Sequence, residues 1–202
     1  MTPCVIFLMW VSGSGKATVV ESSWLRNDNR FAFARSYCTR PMREWEINWK
    51  TYRFITENEF WKMMENNEFV EPNKEKYFWS AGRSIHIHWQ YSYGTSLCSL
   101  MEPINQGKIV IKEIEMIGLQ EIMSHKQPFV YYSVFLDVDW VHVVDRIKNR
   151  ANISDEELKI RIDNCKHESL LAKQFCTHII NANQSIDQVT KDFLDFIHQT
   201  LV

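Results

Sequence analysis

The sequence predicts an α/β fold with a central, largely parallel sheet flanked by helices. Three observations carry this. Short β-rich runs alternate with helical stretches along most of the chain. The apolar run Val5–Met9 is followed at once by a glycine-rich turn and then an amphipathic stretch. The C-terminal third holds two helical segments whose ends are readable from spacing and capping residues.

Taken in order, Val5–Met9 is the first strand. Lys108–Ile114, Phe129–Leu136 and His178–Ile180 are the others, each followed by a helical segment. Ser154-Asp-Glu-Glu157 forms a capping box that opens a helix running to about Phe175. Apolar residues at helical period from Ile186 to Leu201 predict the closing helix. Between Ser36 and Thr95 the texture changes. Short strands over Thr51–Ile55 and Phe69–Glu71 flank a helix opened by Thr56-x-x-Glu59, with no βαβ rhythm. This reads as a small insert on the core, a site for an acceptor molecule. Asp137–Ser154 is a second variable, charged stretch.

At 202 residues the chain is long enough for one proper core. With 23 basic and 25 acidic residues, its charge predicts neither nucleic-acid nor membrane attraction. No apolar run reaches membrane-spanning length, and Val5–Val11 lacks the basic leader of a signal peptide. Five scattered cysteines with no C-x-x-C read as reduced thiols of a cytoplasmic protein.

Residues 10–18, Trp-Val-Ser-Gly-Ser-Gly-Lys-Ala-Thr, approach the P-loop pattern G-x-x-x-x-G-K-[ST] between strand and helix. Such a turn lets consecutive N–H groups converge on phosphate oxygens, and Lys16 would reach the β- and γ-phosphates. Trp10 replaces the first glycine and Ala17 the hydroxyl residue. Cations recur elsewhere. Arg40 and Arg43 sit three apart beside hydroxyls in Ser36-Tyr-Cys-Thr-Arg40-Pro-Met-Arg43, which suits a bidentate grip on phosphate. Arg146, Arg150 and Arg161 flank the start of the capped helix. Glu113 and Glu115 alternate past a strand end on one face, where they would accept hydrogen bonds or order a metal's waters. Plain alternatives stand beside each reading: solvated loop arginines, i,i+4 helix partners for Arg150 and Arg161, and surface carboxylates at a strand end. His86 and His88 lack a third ligand and read as structural.

Over nearly its whole length the chain resembles guanylate kinases. The resemblance is carried by S-G-S-G-K (12–16), S-Y-C-T-R-P-M-R (36–43), Tyr52 in T-Y-R-F-I, and N-N-E-F-V-E ending at Glu71. It continues through Y-G-T (93–95), I-V-I-K-E-I-E (109–115) with Gly118, and Arg150 and Arg161 in R-A-N-I-S-D-E-E-L-K-I-R. It implies a P-loop kinase fold divided into a core (1–35, 96–136, 162–202), a GMP-binding insert (36–95) and a lid (137–161). It also implies Mg²⁺-dependent transfer of the ATP γ-phosphoryl group to GMP, giving GDP and ADP.

By the same resemblance, Ser36, Arg40, Arg43, Tyr52 and Tyr93 would hold the GMP phosphate. Glu71, Thr95 and Glu115 would read the guanine edge, Glu115 standing where the family usually has aspartate. Ser12, Gly13, Ser14, Gly15, Lys16, Ala17, Thr18 and Asn183 would bind ATP. Lys16, Arg43, Arg150 and Arg161 would be catalytic, and Mg²⁺ would arrive with ATP, its waters ordered near Glu113. Two rivals belong to other classes. Guanylate-kinase-like scaffold domains bind peptides, but typically lack the P-loop lysine and lid arginines present here. A kinase of phosphorylated sugars would have no guanine edge for Glu71, Thr95 and Glu115 to read.

Two departures remain. Pro72–Ser92 is longer than the family's usual connection. Trp10, Trp45 and Trp49 fall where the family has glycine or another small residue. The chain has 8 tryptophans and only 6 glycines, against a usual glycine share of ~7%. Both facts are expected if these codons are UGA, read as glycine in the source organism and as tryptophan in this translation.

Overall fold

A computed structural model describes residues 2–10, 27–44, 46–70, 91–139, 144 and 155–201. Of the site residues named above, Ser12–Thr18, Glu71 and Arg150 lie outside the described residues. So do Trp45, His86, His88, Arg146, Ser154 and most of Pro72–Ser92.

The main sheet comprises β1 (Val5–Trp10), β2 (Phe31–Ala34), β6 (Ile109–Glu113), β7 (Tyr131–Asp137) and β8 (His178–Asn181). Its order is β2-β6-β1-β7-β8 and every pairing is parallel. Parallel sheets are covered on both faces, which is why β1 reads as an unbroken apolar run. Val5, Phe7 and Met9 join the core on one face and Ile6 and Leu8 the core on the other.

Helices supply the two outer layers. Leu100 of α2 (Leu97–Asn105), Met116, Leu119 and Ile122 of α3 (Met116–Met123), and Leu158, Cys165 and Ala172 of α4 (Asp155–Phe175) pack on the Phe7 side. On the Ile6 side lies α5 (Ile186–Leu201), burying Val189, Phe193, Phe196, Ile197 and Leu201 along one stripe. The turn from α2 into β6 is a Schellman motif. The N–H groups of Gly107 and Lys108 return to the carbonyls of Ile104 and Pro103, and Gly107 adopts φ 79°.

The insert has its own three-stranded sheet, order β4-β3-β5, from Tyr37–Cys38 (β3), Arg53–Phe54 (β4) and Tyr93–Gly94 (β5). Helix α1 (Glu57–Glu65) covers it through Phe60 and Met64, which pack with Phe69. The Thr56/Glu59 capping box forms as the sequence predicts, Glu59 N–H donating to Thr56 Oγ1 and Thr56 N–H to Glu59 Oε2. The strand expected over Phe69–Glu71 is reduced, among the described residues, to a single bridge from Phe69 to Ser96. That over Thr51–Ile55 narrows to Arg53–Phe54, because a turn occupies Asn48–Tyr52. Gly94 packs so close to the Phe69 ring that a Cβ would meet it at 2.8 Å.

Candidate active site

In open parallel sheets, ligands bind beyond the carboxyl ends of the strands, where the strand order reverses. Here that point is the end of β1 at Trp10, between β6 and β7, and the glycine-rich motif comes next in the sequence. β6 ends beside it at Glu113, and Glu115 is the N-cap of α3, with extended backbone (φ −89°, ψ 158°). Glu113 faces the guanidinium of Arg35, just after β2, at 3.8 Å. Asn183 follows β8 at the same edge. Its Oδ1 accepts from Asp139 N–H at 2.7 Å, and its own N–H donates to Asn181 Oδ1, tying the loop after β8 to the segment after β7.

Arg40, Arg43, Tyr52 and Tyr93, which the resemblance assigns to the acceptor, all lie on the insert. Arg40 makes a two-pronged ion pair with Glu46: Nη1 donates to Oε2 at 2.6 Å and Nη2 donates to Oε1. Glu46 Oε2 also accepts the backbone N–H of Arg43 at 2.9 Å, which fixes the Arg40–Arg43 turn. The guanidinium of Arg40 lies 5.2 Å from the ring centroids of both Tyr52 and Phe54. Tyr52 meets Tyr93 edge to face at 5.8 Å. Arg40 therefore sits in a sleeve of rings with a buried carboxylate behind it. The pairing holds the Glu46 carboxyl below its ordinary range and raises Arg40. Burial, with Cys38 close by, pushes the Tyr93 phenol up and keeps it a neutral hydrogen-bonding group.

Thr95 is buried, and its carbonyl accepts the N–H of Val70 at 2.9 Å. Ser36 stands where the core passes into the insert. Its carbonyl accepts from Arg53 N–H at 2.9 Å, and its hydroxyl accepts from Lys112 Nζ at 2.8 Å. Arg161 lies on α4, with its side chain outside the described set.

Two participants were not legible in advance. Glu46 is the buried partner of Arg40 and Arg43. Its signal was available in the spacing, a carboxylate three residues after one arginine and six after the other. Lys112 had no such signal, because a lysine near a strand end reads as solvent-facing.

A parallel α/β core whose first strand runs in sequence into a glycine-rich motif, with a small arginine-bearing insert, is consistent with the nucleoside monophosphate kinase class of phosphotransferases, and the comparisons with known proteins support that class. The family model for guanylate kinase matches residues 2–200. Curated relatives include guanylate kinases of Mycoplasmopsis pulmonis (30% identity, 81% of this chain and 79% of that one) and Prochlorococcus marinus (30%, 96% of each). A guanylate kinase structure from Anaplasma phagocytophilum superposes with TM-score 0.64 at 16% identity, covering 98% of this chain and 87% of that one, which shows the shared fold. The chain belongs to the guanylate kinase family.

Proposed function

We propose that this protein transfers the γ-phosphoryl group of ATP to GMP. An oxygen of the GMP phosphate attacks the γ-phosphorus and the β-phosphate oxygen of ADP departs, so GDP and ADP are formed. Phosphoryl transfer asks little covalent work of the protein; it needs alignment and positive charge around the oxygens. The observation that carries this reading is the insert cluster, in which Arg40, Tyr52, Tyr93 and the Arg43 turn are held together by Glu46. A preorganised guanidinium flanked by phenols suits a phosphate monoester dianion.

In this reading Ser36, Arg40, Arg43, Tyr52 and Tyr93 grip the GMP phosphate. Glu71 and Glu115 accept hydrogen bonds from guanine, whose adjacent N–H donors adenine lacks, and Thr95 completes that edge. Ser12–Thr18 and Asn183 hold ATP. Lys16, Arg150 and Arg161 neutralise the transferred group, and closure of 137–161 excludes water and so suppresses hydrolysis. Glu113 offers hard carboxylate oxygens at the end of β6, partly exposed, which would suit a Mg²⁺ that keeps several of its waters once Arg35 yields the carboxylate. A Mg²⁺ held there with ATP would supply charge neutralisation to the nucleotide phosphates.

An ADP-release assay with ATP and GMP, AMP or no acceptor tests the assignment. Turnover with GMP well above that with AMP is expected. Equal rates with AMP, or release independent of any acceptor, would overturn it.

A further inference from the structure

Lys112 is the one buried lysine among the described residues, with 2% of its surface exposed. It is carried by β6 between Ile111 and Glu113, in register with Phe7 of β1 on one side and Ala34 of β2 on the other. At this register the strand interior is apolar, and an ammonium there is costly unless its hydrogens are used. They are used: Nζ donates to Ser36 Oγ at 2.8 Å and to the carbonyl of Glu113. The ammonium thus brings positive charge to the strand ends, next to a hydroxyl already placed on the acceptor side.

We propose that Lys112 is a positioning residue of the acceptor-phosphate site, holding the Ser36 hydroxyl and setting a fixed cation behind it. A serine oxygen that accepts from an ammonium has its own O–H polarised and directed elsewhere, which makes it a stronger donor to an anion. The phosphate monoester of the acceptor is the anion that fits. Because Lys112 belongs to the core sheet and Ser36 opens the insert, the contact also fixes where the insert starts. This inference rests on Ser36 belonging to the GMP phosphate site.

Lys112→Met and the milder Lys112→Gln test it, by steady-state kinetics and by calorimetric binding of GMP and of guanosine, which lacks the phosphate. Loss of a charge-assisted contact predicts a GMP KM about 10- to 100-fold higher, with the KM for ATP unchanged. GMP binding weakens to the same degree while guanosine binding holds, and Lys112→Arg recovers part of the loss. A variant that lowers only the melting temperature, or weakens GMP and guanosine equally, overturns the proposal. Failure of the wild-type protein to bind GMP at all strikes instead at the functional reading beneath it.

A separate observation concerns position 49. Three described residues have positive φ: Gly107, Asn67 and Trp49. Gly107 and Asn67 each follow a helix C-cap, where these residue types belong. Trp49, at φ 70°, is the exception, since a bulky residue rarely adopts this region. Its backbone has little freedom to leave. Ile47 carbonyl accepts Lys50 N–H at 3.1 Å, placing Trp49 third in a turn, and Trp49 N–H donates to Tyr52 carbonyl at 2.7 Å. A turn with positive φ at its third residue selects glycine. The indole is 62% exposed and meets the Arg53 guanidinium at 4.4 Å, a surface contact that does not explain the backbone.

We infer that the protein made in its source cell carries glycine at position 49. The codon there is then one that the cell reads as glycine and this translation renders as tryptophan. Trypsin releases Glu44–Lys50 as one peptide, so mass spectrometry of the protein isolated from its source reads positions 45 and 49 together. The mass and fragment series of glycine at 49 are expected; tryptophan at 49 overturns the inference.

Discussion

Replacing Glu46 by alanine is the sharpest perturbation of the insert. The carboxylate is 2% exposed and its partner guanidinium 11%, so the pair is withdrawn from water on both sides. Glu46→Ala removes both prongs to Arg40 and the acceptor for Arg43 N–H, leaving a cation inside a sleeve of aromatic rings. Breaking a buried pair from one side costs about 3–5 kcal/mol. For comparison, burying one core side chain such as Phe60 or Phe69 contributes about 1.5–3 kcal/mol, and among the described residues the insert's apolar cluster has three buried members. The loss therefore falls on the insert, as local opening ahead of global unfolding.

Amide exchange over residues 37–56 is expected to accelerate about a hundredfold or more, given a factor of ten per ~1.4 kcal/mol. The GMP KM rises with it, and the KM for ATP stays. Glu46→Gln keeps the shape but loses the charge, and lies between. The sign of the pH effect follows from the pairing. The folded pKa of Glu46 lies below its unfolded value, so its contribution is present above the unfolded pKa and is lost as pH falls through the folded one. Unchanged exchange in 37–56 together with an unchanged GMP KM in Glu46→Ala would refute the claim that this carboxylate organises the site.

Lys16→Ala should lower turnover by orders of magnitude with the circular dichroism of the fold intact; a retained rate removes its assigned role. Gly94→Ala places a Cβ 2.8 Å from the Phe69 ring and should lower the melting temperature, with partial recovery in Gly94→Ala/Phe69→Leu. No recovery would show that the clash is relieved some other way. Burial pushes the Cys4 thiol up to about 11 from an ordinary 9.0, so the native state holds that proton where the unfolded chain releases it. Stability from Cys4 is fully present below about pH 9 and declines towards pH 11, so the urea midpoint should fall across that window, less steeply in Cys4→Val. Equal slopes in the two proteins would refute it.

How much of this was readable in advance varied with the length of the signal. β1, α4 and α5 were legible because long apolar runs or sustained helical spacing leave one solution. β2 was not read, since Phe-Ala-Phe-Ala between Arg30 and Arg35 is too short to separate from a loop. β3 and β5, at two residues each, exist only because Tyr37–Cys38 finds partners distant in sequence. Helix α2 was also unread, having no side-chain cap and Pro103 in its last turn. The residues proposed for the acceptor were picked out through a family resemblance carried by their order and spacing as motifs. What holds them was less visible, because burial of Glu46 and Lys112 is a tertiary property that spacing does not carry.

These two buried groups have opposite charges and complementary tasks. Glu46 neutralises Arg40 and thereby keeps a guanidinium in place between the rings when no anion is present. Lys112 holds an ammonium at the junction between core and insert, donating to the Ser36 hydroxyl and to the Glu113 carbonyl. In the proposed reading, a phosphate at Ser36 would meet a cation fixed to the core sheet, and one at Arg40 a cation fixed within the insert by Glu46. Because β6 pairs with both β1 and β2, such a contact would tie the start of the insert to the centre of the core sheet.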